Sequence, residues 1–214
     1  MTGLPAEFSS PLQILLGLTA LTLLPALFMT VTPFLRIITV LHFLRQALGT
    51  QTAPSNQVLI GMALLLTLVV MQPVLNEIHA DAYTGYQQGK LSPTEALEHA
   101  SEPLAKFLRR FAREKDLALM MEIAKLPPVK SPRQLGLSVL MPAYVLSELK
   151  TSFQIGAVLF LPFLVIDLVV ASVTLTVGMV QLPPVMLSAP LKILLFVMVD
   201  GWNLVIGSLV RSFQ

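Results

Sequence analysis

Two long stretches without a single formal charge dominate this chain. Residues 8–35 are 28 uncharged positions in a row, and residues 46–76 are 31 more. A helix needs about 20 apolar residues to cross a bilayer. Both stretches are long enough, and they predict helices over Leu12–Pro33 and Asn56–Leu75. Pro25 predicts a kink in the first, because it has no N–H and crowds the preceding turn. The tail repeats the layout. Phe153–Val177 is apolar except for Asp167, and Met186–Val210 is apolar except for Lys192 and Asp200. The joint Gly178–Val185, with Pro183 and Pro184, is too short for a domain, so the tail reads as a hairpin of two long helices.

Charge gathers between the two pairs. Asn76–Lys150 holds ten of the 14 Lys and Arg and nine of the 12 Asp and Glu. Over the whole chain 55% of residues are hydrophobic and 12% charged, about half the charge of a soluble domain. The expected fold is therefore an all-α integral membrane protein. Hydrophobic helices over 8–75 and a hydrophobic hairpin over 148–214 flank a polar, mainly helical segment over 76–147. Inside that segment Ser92 can cap a helix, Pro93 suits its first position, and Glu95 can close a capping box. Leu104, Phe107, Leu108 and Phe111 share one helical face. Lys106, Arg109, Arg110 and Arg113 read as solvated around it, and Glu114, Lys115 and Asp116 as surface charge. Leu126–Val129, with its two prolines, ends the unit. Arg36–Leu48 reads either as a short connection or as a helix that continues after a break.

No positive segment precedes the first apolar run, so no cleavable signal peptide is expected. Arg36 and Arg45 flank the first connection. The positive-inside rule puts that connection in the cytoplasm and the N-terminus outside. With four spans the polar segment also lies outside.

No catalytic constellation stands out. There is no cysteine, and His42, His79 and His99 are scattered without metal-ligand spacing. Neither a phosphate-binding glycine loop nor a nucleophile elbow is present. No metal, cofactor or enzymatic role is expected, and a net charge of +2 gives no reason to expect nucleic acid. The charges in or beside the apolar runs carry more information: Arg36, Glu148, Lys150, Asp167, Lys192 and Asp200. A charge at bilayer depth costs at least about 2.5–3.5 kcal/mol, so it faces protein or water rather than lipid. These residues read as polar contacts between helices or between subunits, in preference to a proton relay. Lys192 and Asp200, eight apart, fall close to one helical face. Small residues such as Gly156, Ser188, Gly201 and Gly207 permit close helix packing in lipid. Met179 and Met186, at and just past the hairpin turn, are flexible side chains suited to a yielding seal.

Ordered blocks in the sequence resemble the FliP family of type III export-gate proteins. They are Leu44–Gln51 running on to Pro54–Gly61, Arg113–Leu119, Ser147–Gly156, Pro162–Ser172 and Pro190–Asn203. The resemblance covers roughly Thr30–Phe213. It implies a channel-forming core subunit of the flagellar gate, in the bacterial inner membrane and the flagellar basal body, that acts as a conduit for unfolded flagellar subunits. It also implies as partners about five copies of the chain itself, FliQ and FliR family subunits, other export-gate and basal-body proteins, lipid and the exported polypeptide. The alternatives are the equivalent subunit of a virulence injectisome and a small proton-coupled transporter. The family commonly places three methionines at the tail turn as a gasket. Here those positions are Met179, Val180 and Gln181, with Leu182 and Met186 beside them.

Overall fold

The computed structural model describes residues 10–50, 52–127, 135–178 and 183–214. Among these, every regular element is helical. The order is α1 (Ser10–Val31), α2 (Phe34–Ala47), α3 (Asn56–Ile78), a π turn (His79–Tyr83), α4 (Thr84–Gln87), α5 (Pro93–Phe111), α6 (Glu114–Ile123), α7 (Leu137–Thr176), α8 (Pro184–Met198) and α9 (Gly201–Arg211). Two helical runs, Asn56–Gln87 and Leu137–Thr176, are long and apolar enough to cross a bilayer singly. The count rises to four if the pairs α1–α2 and α8–α9 each act as one broken span. Leu18, Leu21, Leu65, Leu68, Leu168 and Val197 stand exposed on these helices. Burying each such side chain is worth about 1.5–3 kcal/mol, so lipid or protein covers these faces. The chain is an all-α integral membrane protein.

It divides into two compact units. The first joins Met1–Leu35 to Met71–Glu148. In it, α5 starts as the local chemistry dictates. The Glu95 amide donates to Ser92 Oγ at 3.3 Å, and the Ser92 amide donates to Glu95 Oε2 at 2.8 Å. Phe107 and Leu108 are buried on one face, with Leu104 and Phe111 half-buried beside them. Phe107 lies 5.0 Å from Phe111 and 6.0 Å from Tyr144 of α7, ring centre to ring centre. The π turn packs against α5. Arg109, expected to be solvated, keeps only 14% of its side-chain surface; it lies along its own helix, donating to the Ala105 carbonyl, and pairs with the exposed Glu102 at 2.9 Å.

The second unit joins Arg36–Val70 to Leu149–Gln214. Its core gathers Leu44 and Ala47 of α2, and Leu48 just after it, with Phe163 of α7 and Phe196 of α8. The stretch after Pro33 is therefore helix, and its apolar side is what fixes it. Gly156 is required at its position, because a Cβ there would enter the Phe43 ring. Phe43 also meets Phe153 edge-on at 5.1 Å.

Two expectations change. The helix expected from Phe153 begins at Leu137, and α7 runs for 40 residues. That is about 60 Å, twice the thickness of a bilayer's hydrocarbon core. The polarity change near Ser147 is therefore no break in the backbone: Ser147, Glu148 and Ser152 are all buried within this helix. Met186–Val210 is likewise not one helix. α8 ends at Met198, Asp200 takes a left-handed conformation (φ 51°, ψ 50°), and α9 departs at 68°. The shared face expected for Lys192 and Asp200 is lost at that bend. Gly201 permits the bend, since a Cβ there would collide with the Phe196 ring.

The capping box makes α5 sensitive to acid. The Ser92 amide, and then its hydroxyl, hold the Glu95 carboxyl below the usual glutamate value. Such a depressed carboxylate stabilises the fold above its unfolded pKa, and that contribution is lost as pH falls through the folded one. Protection of the Thr94–Ala96 amides against hydrogen exchange, corrected for intrinsic rates, is expected to drop below the glutamate range. Ser92→Ala should lower it by about 2- to 30-fold at neutral pH. Unchanged protection in both experiments would remove this account of the helix start.

Candidate functional site

Helix α8 places Ser188 and Lys192 four residues apart, hence on one face. Across from them α7 presents Asp167. Lys192 Nζ donates to Asp167 Oδ2 at 2.6 Å, and Ser188 Oγ donates to Asp167 Oδ1 at 2.6 Å. Ser188 and Lys192 are buried, while the Asp167 side chain keeps 32% of its surface. An unpaired ammonium here would lose its hydration with nothing in return. Both carboxylate oxygens are engaged, so the three side chains act as one polar clamp that holds the hairpin closed. Sequence reasoning grouped Ser188 with the small packing residues. Its place one turn before Lys192 was the available signal of a hydrogen-bonding role.

The other expected residues sit apart from this clamp. Arg36 is buried on α2; its Nη1 donates to Ser212 Oγ at 3.0 Å and to the Ser212 carbonyl at 3.3 Å. Its guanidinium also lies 3.9 Å from the centre of the Phe213 ring. Asp200 is exposed and accepts from Asn203 Nδ2 at 3.1 Å. Lys150 is exposed on α7. Arg45 organises the turn after α2, donating to the Pro54 carbonyl at 3.2 Å and to Asn56 Oδ1 at 2.7 Å. Met179, Val180, Gln181 and Leu182 lie outside the described residues. Met186, in the first turn of α8, is exposed, and Gly178 closes α7 with φ +76°. Among the described residues, no group of three or more His, Cys, Asp or Glu is arranged to hold a metal ion.

The first unit holds a second polar cluster. Glu148 is fully buried there, and so is Asp116, which corrects the reading of Asp116 as surface charge. Ser147 Oγ lies 2.8 Å from Asp116 Oδ2 and 2.8 Å from the Ala143 carbonyl, and it accepts from the Arg113 amide at 2.9 Å. The reason is positional. α6 begins at Glu114, so Asp116 falls in its first turn, where the helix dipole favours a carboxylate. Leu117, the next residue, is buried with it. The hydroxyl of Ser147 thus ties the start of α6 to α7. Ser147→Ala leaves a buried carboxylate short of a donor, which costs about 1–3 kcal/mol. A lower melting temperature for the detergent-solubilised variant is the expected result. An unchanged one would mean that the cluster does not hold α6.

Comparison with known proteins covers nearly the whole chain. The FliP family model matches residues 17–209. The chain is 52% identical over 201 residues to a flagellar biosynthetic protein FliP of Pectobacterium carotovorum subsp. carotovorum, covering 94% of this chain and 78% of that one. It is 48% identical over 209 residues to its namesake in Bacillus subtilis strain 168, covering 98% and 95%. The Borreliella burgdorferi protein of the same name is 40% identical over 212 residues, covering 98% and 84%. The matched family region runs through both compact units and includes Asp167, Ser188 and Lys192; the chain belongs to the FliP family.

Proposed function

We propose that the chain is a channel-forming core subunit of the flagellar type III protein export gate, a conduit for unfolded flagellar subunits across the bacterial inner membrane. The observation that carries this reading is the α7–α8 hairpin. Its clamp is satisfied inside one copy, while Leu161, Leu168, Leu194 and Val197 leave its outer faces apolar. One copy, with two to four spans, has too few elements to enclose a path for a polypeptide. A conduit therefore needs several copies, and rigid hairpins with apolar and small-residue faces suit that packing. About five sister copies, FliQ and FliR family subunits, other basal-body proteins and lipid are the neighbours assigned here. The turn Met179–Leu182, with Met186 beside it, is assigned to the constriction. No catalytic step and no cofactor are assigned.

A proton relay through Asp167 competes with this reading. A relay carboxylate must exchange its proton readily, whereas Asp167 is engaged by Lys192 and Ser188 on its two oxygens. That geometry favours the clamp. The flagellar names of the relatives favour the flagellar apparatus over an injectisome.

Deletion of the gene is expected to abolish motility and secretion of filament protein; a deletion strain that exports normally rules the role out. Asp167→Asn and Lys192→Met are each expected to lose the assembled export complex from gently solubilised membranes, because removing one partner of a buried pair costs about 3 kcal/mol or more. The double replacement Asp167→Leu with Lys192→Met should recover part of that loss. If Asp167→Asn assembles fully but exports without proton coupling, the relay is correct instead. Met179→Ala with Met186→Ala should make the membrane leaky to small ions, and unaltered leak and export would remove the constriction.

A further inference from the structure

One side chain gathers the turn between α2 and α3. Arg45 stands in the last turn of α2. Its Nη1 reaches forward to the Pro54 carbonyl at 3.2 Å and to Oδ1 of Asn56, the first residue of α3, at 2.7 Å. Its own carbonyl accepts from Thr50 Oγ1 at 3.1 Å. Its second terminal nitrogen, Nη2, lies 3.1 Å from Nδ1 of His42, one turn earlier on the same helix. The turn also rests on α8: a Cβ added to Gly49 would stand 3.4 Å from Cβ of Ala189, the residue after Ser188 of the clamp.

Chemistry fixes the direction of the His42 contact. A guanidinium has N–H donors and no acceptor, so Nδ1 of His42 must be the acceptor. The ring is then neutral and carries its hydrogen on Nε2. A protonated ring has N–H on both nitrogens. It has nothing to offer Arg45, and it sets a second positive charge beside the first. Residues 46–76 bring no charge to offset this. The other charges of the second unit are Arg36 at the far end of α2, Lys150 and Asp167 on α7, Lys192 on α8, Asp200 at the bend and Arg211 on α9. Asp167 is engaged by Lys192 and Ser188. Among the described residues, the charge that acts on the His42 ring is that of Arg45.

We propose that His42 and Arg45 form a pH-sensitive latch on the α2–α3 turn, closed while His42 is neutral and opened as His42 takes up a proton. Histidine changes charge between about pH 5 and 8. Exposed Thr52, Ser55 and Gln57 make the turn polar, so water reaches it. The latch orders the turn at the upper end of that range and loses its hold as pH falls. This device goes beyond the export role proposed above and does not depend on it.

The chain has three histidines, and His79 and His99 are both exposed. His79→Gln with His99→Gln therefore leaves His42 alone for 15N-histidine labelling of the full chain in phosphatidylcholine nanodiscs. At about pH 8 its ring nitrogens should report the Nε2–H tautomer with Nδ1 accepting. Hydrogen exchange, corrected for intrinsic rates, is followed at the Val58 and Leu59 amides, which bond to Ser55 at the start of α3. In the unaltered chain and in the double Gln chain their protection should fall about 3- to 10-fold between about pH 8 and about pH 5. Arg45→Gln should give the lower protection at both values, and His42→Phe should remove the pH dependence. An Nδ1–H tautomer at about pH 8 overturns the latch, and so does equal protection of the unaltered chain at both values. A fall that persists in a folded His42→Phe chain also overturns it. The tautomer and the exchange of the unaltered chain decide the matter even if a replacement of His42 or Arg45 fails to fold.

Discussion

A lysine in the middle of an apolar hairpin must find a counter-charge or be expelled, and that requirement organises the C-terminal half of this molecule. Lys192 meets Asp167 at 2.6 Å, and Ser188 takes the remaining carboxylate oxygen. The ammonium, the hydroxyl and the carboxylate satisfy one another, so none needs a donor or acceptor from another chain. Once α7 and α8 are fixed in this way, Phe163 and Phe196 come together 6.5 Å apart below the clamp. Leu44 and Ala47 of α2, with Leu48 just after it, then close over them. The polar contact sets the register and the aromatic contact fills it. What remains outside is apolar surface, and that surface can serve only as an interface with lipid or with protein.

The first unit also joins two helices through buried polar side chains. Asp116 meets the Ser147 hydroxyl at 2.8 Å and lies in the first turn of its own helix. That contact ties the start of α6 to α7. The exposed pair Lys106–Glu77 adds little, since solvent screens it.

Much of the helical content was legible in the sequence, because uncharged runs and the Ser92–Glu95 signature have few alternatives. The face of Leu104, Phe107, Leu108 and Phe111 followed from spacing alone. What escaped was set by tertiary contact. The start of α7 was hidden because Ser147, Glu148 and Ser152 look like a boundary until the burial of all three within one helix is known. The bend at Asp200 escaped because no proline marks it; it depends on a left-handed aspartate and on room for the Phe196 ring over Gly201. Asp116 was misplaced for a related reason: in a mixed run such as Arg113–Asp116, the residue turned inward is fixed by where the helix begins. The charges beside the tail were legible as a set, but which of them meet was not, since the pairing of Asp167 with Lys192 depends on how α7 packs on α8 and not on spacing within either helix.

Whether the clamp closes within one copy or between copies decides the account, and exchanging its two charges makes that measurable. Asp167→Lys with Lys192→Asp in one chain should recover part of the assembly lost by either replacement alone, since the two groups face each other at 2.6 Å within that chain. The two single replacements, expressed together as separate chains, should not recover it. Recovery of the assembled complex from the mixed single replacements would contradict the account.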